Sequence, residues 1–532
     1  MKIVRGIAVG AVLALLAGVL FAGLRWVSGL DALPLAVAAD MPSLAGKQPA
    51  PPFPTGLDWI NTGGRPVTLK ELRGKVVLLD FWTYGCINCF HIIPDLDKLQ
   101  KTYGDKLVII GVHSAKFATE RKTAHIEAVV LRYGLDHPVV NDKDMQFWNE
   151  YGAQGWPTLT LIDPAGNVVG QVSGEGHYAL LNKVIGTLVQ GFGARGEINA
   201  KPLWFSGIHF EMPKTTLLYP GKVLADAAHD RLFIADSNHN RIVVTTLAGT
   251  VLAVIGDGST GLRDGDYARA QFHYPQGMAL AGADTLYVAD TDNNAIRKVD
   301  LVKHTVSTVA GDGKQTYMTD PAMPARGAEL NTPWAVLFHD GLLYIAMAGQ
   351  HQLWTYDPMT ASINLYAGSG QEGVTDGSLA QASFAQSSGL ATDGSNLYVA
   401  DPEASAVRQV GFGPGARVRT LVGTGLFDFG DVDGVGDGVR LQHDLGIAWH
   451  AGRLYIADTY NSKIKVLDPQ TRRVTTLAGG NGEFDEPGGL SAAADDLYVA
   501  DTDHNRIAVL DIKTGKISSL KLADPQHLLA QP

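Results

Sequence analysis

The chain has 532 residues, of which 45% are hydrophobic and 18% charged, and its formal net charge is −11 at pH 7. This length favours about two to four domains. The negative charge, and the lack of any basic run longer than two residues, argue against a surface for nucleic acid or anionic lipid, because both require clustered lysine and arginine.

The N-terminal segment predicts a membrane anchor. Residues 6–24 are 19 uncharged residues between Arg5 and Arg25, longer than a signal-peptide core of about 7–15 residues and long enough to span a bilayer. Positive charge before the span predicts a cytoplasmic N-terminus. We expect a single-pass protein of the bacterial inner membrane with its bulk in the periplasm. The alternative is a signal peptide cleaved near residues 36–39, which gives a secreted or periplasmic protein.

A dithiol motif follows the first strong strand pattern. Residues 76–94 read VVLLDFWTYGCINCFHIIP, which predicts a buried strand, a short turn and a helix that Pro94 kinks. Cys86 and Cys89 stand at the start of this helix and are the only two cysteines of the chain. C-x-x-C beside a strand–helix pattern indicates a redox dithiol.

The position of the motif suits thiol chemistry. A thiolate attacks disulfides, and a helix N-terminus favours negative charge on the first cysteine. Two buried inert thiols or half of a zinc site are the alternatives. No second C-x-x-C and no nearby H-x-x-H accompanies the pair, so we favour the redox interpretation, which needs no cofactor beyond a Cys86–Cys89 disulfide.

The motif and its surroundings resemble thioredoxin-fold proteins. The lead-in APPFPTGLDWINTGGRPVTLKELRGKVVLLDFW is similar to that of the membrane-anchored TlpA/ResA group. VHSAKF at 112–117, HPVVND at 137–142 and GEGH at 174–177 resemble proteins that join a thioredoxin-like domain to NHL repeats. The resemblance covers nearly all of residues 47–525.

This resemblance implies site residues. Asp80 matches the family's buried carboxylate, which relays the proton of the second cysteine, Cys89. Trp82 matches the tryptophan packed under the motif, and Pro157 falls at the cis-proline that faces the disulfide. We therefore expect Asp80 and Pro157 to serve catalysis beside the cysteines, and Trp82 and Trp156 to contact substrate.

Two departures from the family pattern leave the direction of electron flow open. Gly85 replaces the usual tryptophan before the first cysteine, and Ile87-Asn88 replaces Gly-Pro. A peroxiredoxin is disfavoured, because Leu79 occupies the proline position of that family's P-x-x-x-T-x-x-C.

Strand and helix patterns alternate through the rest of this half, which indicates an α/β sheet. We predict a strand at 106–114, a helix within 118–134, a strand beginning in 137–142, a short helix at 145–153, and a terminal hairpin from TLTLID and NVVGQVS. His91, two residues past Cys89, is interpreted as a surface or satisfied histidine.

The second half is periodic. Units such as RLFIADSNHNRIVV, TLYVADTDNNAIRKV and DLYVADTDHNRIAVL occur six times, and a Gly-x-Gly series falls at 256, 311, 368, 423 and 480. Six units of four strands resemble an NHL-repeat β-propeller. The fold class is thus an α/β thioredoxin fold followed by an all-β six-bladed propeller. The predicted divisions are an anchor or signal peptide (1–25), a linker (26–46), a thioredoxin-like domain (47–195), a linker (196–215) and a propeller (216–525).

The propeller repeats an aspartate after one strand of each unit. We interpret these residues as structural, accepting bonds from the following turn: Asp236, Asp290, Asp401, Asp458 and Asp501. The third unit has Met347 instead and also carries Trp334 and Trp354, which marks either a ligand-facing blade or drift. DVDGVGDG at 431–438 lacks the spacing of a calcium loop, so we interpret it as a glycine-rich turn, with calcium as the alternative.

Three functions are consistent with these patterns. The first is a periplasm-facing thiol–disulfide oxidoreductase, with reductase favoured over oxidase, that acts on protein disulfides, receives electrons from a membrane protein and uses the propeller to bind a protein or small ligand. The second is an interaction scaffold with little redox turnover. The third is a metal-dependent hydrolase or lyase in the propeller, for which His273 and His443 lie near strand entries.

Overall fold

The computed structural model describes residues 44–316 and 322–530. The predicted span at 6–24, its cleavage alternative at 36–39 and most of the 26–46 linker lie outside the described residues. Within the described ranges, no helix combines the length and the apolar character that crossing a bilayer requires.

The first half forms one mixed seven-stranded sheet. Its strands are β1 (Gln48–Pro49), β2 (Trp59–Ile60), β3 (Val76–Trp82), β4 (Leu107–His113), β5 (Val139–Asn141), β6 (Thr158–Ile162) and β7 (Asn167–Ser173). The strand order is β1-β7-β6-β3-β4-β5-β2. Strand β3 lies at the centre, parallel to β4 and antiparallel to β6. It is buried along its whole length, as expected for an apolar run covered on both faces.

Five helices cover this sheet. They are α1 (Ile87–His91), α2 (Ile93–Tyr103), α3 (Thr123–Arg132), α4 (Gln146–Tyr151) and α5 (Tyr178–Ala194). Alternate residues of β3 point to opposite faces: Val76 and Leu78 pack with residues of α2 and α5, and Val77 and Leu79 pack with Phe147 of α4.

Two details of this half differ from the sequence prediction, which expected a kinked helix and a terminal hairpin. The helix of the dithiol motif breaks at Ile92, and α2 begins there with Pro94 in its first turn, because proline lacks the N–H that a continuous helix would need. The hairpin of β6 and β7 is present but is not terminal. Helix α5 follows it within the predicted domain of 47–195, so the terminal position expected for the hairpin was wrong. Leu181, Ile185 and Leu188 of this helix cover one face of the sheet.

The second half is a propeller of six antiparallel sheets. The first blade contains β8 (Lys222–Asp226), β9 (Arg231–Asp236), β10 (Arg241–Thr245) and β11 (Val251–Ile255). The second contains β12 (Gly265–Asp266), β13 (Pro275–Leu280), β14 (Thr285–Asp290), β15 (Ala295–Asp300) and β16 (Thr305–Ala310). The third contains β17 (Ala322–Pro324), β18 (Pro333–His339), β19 (Leu342–Met347), β20 (Gln352–Asp357) and β21 (Ser362–Ala367).

The remaining blades repeat this plan. The fourth contains β22 (Gly377–Ser378), β23 (Gly389–Thr392), β24 (Asn396–Asp401), β25 (Ala406–Gly411) and β26 (Arg417–Val422). The fifth contains β27 (Gly434–Val435), β28 (Gly446–His450), β29 (Arg453–Asp458), β30 (Lys463–Asp468) and β31 (Arg473–Gly479). The sixth contains β32 (Pro487–Ala493), β33 (Asp496–Asp501), β34 (Arg506–Asp511) and β35 (Ile517–Ser519).

The ring closes between the first and last blades. The inner strand β32 lies against the inner strand β8, and β35 pairs with β34 as the last outer strand. The predicted linker at 196–215 contributes no strand to either unit. Its residues Leu203, Trp204 and Phe205 pack against the core of the α/β domain. This part of the predicted linker therefore belongs structurally to the first unit.

The recurrent aspartates are structural, but their backbone partner is different from the predicted one. One carboxylate oxygen of each accepts a 2.7 Å bond from a backbone N–H that lies 16 to 18 residues earlier, before the inner strand of the same blade. The donors are Leu218, His273, Ala385, Gln442 and Asp485. The bond therefore ties two loops of one blade together, which the expected bond to the following turn would not do.

The other carboxylate oxygen pairs with a basic side chain of the next strand. These side chains are Arg241, Arg297, Arg408, Lys465 and Arg506. In the third blade Met347 and Trp354 occupy the two positions, and both are buried in the same apolar cluster. An apolar pair of similar volume can replace a buried ion pair without loss of stability. Trp354 is therefore part of the core, and the irregular blade is not explained by a ligand on that residue.

The fourth blade provides a test of this buried pair. We expect Arg408→Met to lower the free energy of unfolding by about 3–5 kcal/mol, because the Asp401 carboxylate stays buried beside it. The exposed Arg269→Met should change it by less than about 0.5 kcal/mol. Asp401→Asn should then stabilise the Arg408→Met variant but destabilise the wild type, as measured by urea unfolding. The same sign in both backgrounds would contradict the account.

Candidate active site

The dithiol motif is held at the end of the central strand. After β3 ends at Trp82, a turn closes with a 3.2 Å bond from Cys86 N–H to the Thr83 carbonyl. Cys86 caps α1, and the Cys89 N–H bonds back to the Cys86 carbonyl at 3.0 Å. Both cysteines carry free thiols and are buried, at 7% and 2% exposed. The two sulfur groups thus lie within one turn of the same helix start.

The loop before β6 faces the first thiol. The Trp156–Pro157 peptide bond is cis, and the Cys86 thiol lies 3.9 Å from the Trp156 carbonyl oxygen. The Trp156 indole N–H donates to the Ser114 carbonyl at 3.0 Å, which fixes this loop against the end of β4. Cys86 and Pro157, distant in sequence, therefore share one site.

Asp80 lies beneath the dithiol as a buried acid. Burial raises its pKa to about 8, and no hydrogen-bond partner of Asp80 Oδ1 is present among the described residues. Burial also raises the pKa of Cys89 far above its usual value, with further contributions from Cys86 and from the charge of Asp80. Asp80, which can hold a proton near neutral pH, is thus close enough to Cys89 for their charges to interact.

The predicted substrate tryptophans occupy different positions. Trp82 is 3% exposed and packs edge-on against His113 at 4.9 Å. His113 also stacks with Tyr84, and burial lowers its pKa to about 3, so this imidazole is neutral. Trp156 is half-buried next to Cys86. A role for either tryptophan in binding substrate stays a prediction.

Glu120 organises the motif turn, and the sequence interpretation missed it. Its buried carboxylate accepts bonds from the Thr83 hydroxyl (2.6 Å) and from the backbone N–H groups of Gly85 (2.8 Å), Lys116 (2.7 Å) and Phe117 (2.8 Å). Three of the four donors are backbone groups. No residue pattern reports such donors, so this role could be found only from the structure.

The propeller lies over this site. In each blade, the residue two positions after the recurrent aspartate or its replacement faces the α/β domain; we call these six residues the docking ring. They are Asn238, Asp292, Gly349, Glu403, Tyr460 and Asp503. Their respective neighbours are the Arg132 carbonyl, Tyr133, His91, Lys116, the rings of Tyr84 and Phe117, and the Arg132 guanidinium.

Further bonds join the two units around the dithiol. The Ile87 N–H, directly after Cys86, donates to Gln386 Oε1 of the propeller at 2.9 Å. The His91 imidazole bonds to Glu175 at 2.9 Å and to the propeller residue Thr332 at 2.6 Å. His91 is therefore a satisfied histidine, but it lies in the interface and not on the surface. A cavity of about 60 Å³ lies between the units beside Ile87, with room for a few water molecules.

Comparison with known proteins agrees with this architecture. A family model described as thioredoxin-like matches residues 74–168. NHL repeat-containing protein 2 of Bos taurus is 43% identical over 487 residues, which cover 83% of this chain and 66% of that protein. The chain is a thioredoxin-like domain fused to an NHL-repeat propeller.

Two further relatives match different shares of the chain. The Arabidopsis thaliana protein SUPPRESSOR OF QUENCHING 1, chloroplastic, is 42% identical over 83% of this chain and 43% of its own length. The thiol-disulfide oxidoreductase ResA of Bacillus thuringiensis is 35% identical over 21% of this chain and 62% of its own length. The chain thus spans 66% or less of each of these proteins.

Propeller residues that were considered for metal binding make ring contacts or bond to a lysine instead. His443 stacks on Tyr460 at 4.3 Å, and burial lowers its pKa to about 3. Asp431 and Asp433 of the glycine-rich turn bond to Lys465. Within residues 44–316 and 322–530, no three His, Cys, Asp or Glu side chains are grouped so that they could hold a metal ion.

The buried acid of the thioredoxin-like domain makes stability depend on pH. The pKa of Asp80 is raised from 3.8 to about 8 in the folded chain, so the folded state binds the extra proton between these pH values. Stability therefore falls as pH rises, by about 1.4 kcal/mol per pH unit from this group. We expect Asp80→Asn to raise the thermal unfolding midpoint at pH 8 and to give little gain at pH 4. An equal effect at both pH values would contradict the raised pKa.

Proposed function

We propose that this chain is a thiol–disulfide oxidoreductase that uses Cys86 and Cys89. The observation that carries the proposal is their shared site, in which the only two thiols of the chain lie at one helix start with Cys86 3.9 Å from the Trp156 carbonyl. The name of the ResA relative, a thiol-disulfide oxidoreductase, supports it. The reaction needs no cofactor beyond the redox-active disulfide.

In the reducing direction, exchange proceeds in two steps. The Cys86 thiolate attacks one sulfur of a substrate disulfide; that S–S bond breaks, a Cys86–substrate mixed disulfide forms, and one substrate thiolate leaves. The Cys89 sulfur then attacks Cys86, which breaks the mixed disulfide and releases the second substrate thiolate. The substrate gains two electrons and two protons, and the chain ends with a Cys86–Cys89 disulfide.

Asp80 is the proposed proton acceptor in the second step. The pKa of Cys89 is raised well above its usual value by burial, so at neutral pH it is a thiol that must lose its proton before it attacks. The ionised fraction of Asp80, whose pKa is about 8, can take this proton. The role of Pro157 is to hold the Trp156 carbonyl at the site where a substrate strand would approach Cys86.

We favour a reductase over an oxidase, as the resemblance of the sequence to TlpA/ResA-type domains implies. A reductase must regain two electrons after each turnover, and we propose that a membrane protein supplies them. A span at 6–24 would tether the chain to the bacterial inner membrane with both units in the periplasm, and a cleaved signal peptide is the alternative. The propeller would bind a protein partner or the substrate.

An interaction scaffold with little turnover is the second candidate. It is favoured by one observation, the burial of Cys86 under the propeller at 7% exposure. In that case the docking ring would maintain a closed assembly, and protein disulfides would not reach the thiol. The two candidates differ in whether Cys86 forms adducts in cells.

Trapping separates these candidates. In Cys89→Ser the second step is blocked, so we expect mixed disulfides between Cys86 and its substrates to accumulate and to dissolve on reduction. Cys86→Ser/Cys89→Ser is the matched control and should show none. Non-reducing electrophoresis of the membrane fraction, followed by mass spectrometry, measures the adducts. A Cys89→Ser chain without adducts would favour the scaffold, and adducts only in the soluble fraction would contradict the tether.

A further inference from the structure

A buried ion pair crosses the domain interface beside the dithiol. Lys116, in the loop after β4, contacts Glu403 of the docking ring, and the two side chains are 6% and 3% exposed. The Lys116 ammonium also donates to the Glu403 backbone carbonyl at 3.1 Å. A pair so removed from water has a strong effect on neighbouring charges, because the local screening is weak.

The second oxygen of Glu403 is directed at the motif turn. A Cβ atom built on Gly85, the residue before Cys86, would lie 3.3 Å from Glu403 Oε1 and 3.0 Å from Glu120 Oε1. Glu403 Oε1 is buried and has no hydrogen-bond partner among the described residues. The glycine that replaces the family's tryptophan is thus explained, because a larger side chain would collide with the carboxylate that the propeller inserts here.

Lys116 is also close enough to Cys86 for their charges to interact. Burial lowers the pKa of Lys116, while the charges of Glu372, Glu120 and Cys86 raise it. A cation beside a thiol favours the thiolate. The Lys116 ammonium therefore contacts the Glu403 carboxylate and is also close enough to stabilise the Cys86 thiolate.

We propose that Glu403 is a positioning residue through which the docked propeller restrains Cys86: by neutralising Lys116 and facing the motif turn with a second oxygen, it disfavours the Cys86 thiolate. The inference rests on the proposed function, because it concerns the nucleophile of that reaction. Separation of the propeller from the thioredoxin-like domain would withdraw Glu403, free the Lys116 cation and activate the thiol.

The charged and titratable groups around Cys86 determine the sign of the effect. They come from β3 (Asp80), α1 (Cys89), the loop after β4 (Lys116 and Glu120) and the propeller (Glu403, with Glu372 behind Lys116). Replacing Glu403 by glutamine removes one anion near the sulfur and takes away the carboxylate that Lys116 contacts. While Lys116 stays protonated, both changes favour the thiolate.

The pH dependence of Cys86 alkylation tests the proposal on the full chain. The rate of carbamidomethylation of Cys86 is followed by peptide mass spectrometry between pH 5 and 10 with iodoacetamide. We expect Glu403→Gln to move the midpoint of this profile down by about one pH unit and so to raise the alkylation rate at pH 7 several-fold. The matched control is Asp292→Asn, which removes the ring carboxylate of the second blade beside Tyr133 and should leave the midpoint unchanged.

Two further variants keep the test decisive if Glu403→Gln folds poorly. Lys116→Met should move the midpoint up, and Lys116→Met/Glu403→Gln should return it to near the wild-type value. A Glu403→Gln midpoint equal to or above that of the wild type, or an equal shift in Asp292→Asn, would overturn the proposal. Alkylation requires no disulfide exchange, so a chain that shows these shifts but forms no adducts would refute the proposed function and leave the role of Glu403 standing.

Discussion

The interaction on which this molecule depends is a hydrogen bond inside the propeller blades. It is accepted by the buried aspartate that ends the second of the four strands shared by every blade. In five of the six blades it joins a loop that lies 16 to 18 residues earlier to the turn that follows the strand. That turn carries the docking-ring residue two positions later. A bond that stabilises a single blade therefore also helps to position the docking-ring residue that contacts the thioredoxin-like domain. In the third blade, the buried apolar side chains of Met347 and Trp354 stand in place of the ion pair. The docking-ring residue of this blade is Gly349, against which His91 packs.

This arrangement gives the dithiol an environment made by two domains. β3, the turn after it and the loop around Pro157 supply the thiols, the buried acid and the facing carbonyl. The propeller contributes Gln386, which binds the first amide after Cys86, and Glu403, which pairs with Lys116. Access, charge and helix-start hydrogen bonding are thus partly controlled by residues about 300 positions away in the chain.

The sequence was sufficient for those features that depend on local patterns. The apolar run of β3, the spacing of the dithiol and the six repeats each follow from periodicity or from residue type, and the structure has all of them. At Pro94 the sequence predicted a kink, whereas the structure has two helices separated at Ile92. Helix α5 was missed although the predicted domain, 47–195, includes its residues, because the hairpin was taken as the last element. The partners of the recurrent aspartates, the role of Glu120 and the docking of the propeller could not be predicted. They depend on backbone donors and on contacts between segments that no local pattern connects.

We propose that Cys86 and Cys89 form a functional redox pair under the propeller. The most direct test is the reduction potential of this pair, obtained by equilibrating the full chain in defined thiol buffers and quantifying the free thiols. Known dithiol proteins range from about −270 mV for reductants to about −120 mV for oxidants. We expect a single two-electron transition within this range, towards the lower end. A pair that never exchanges with the buffer would contradict it.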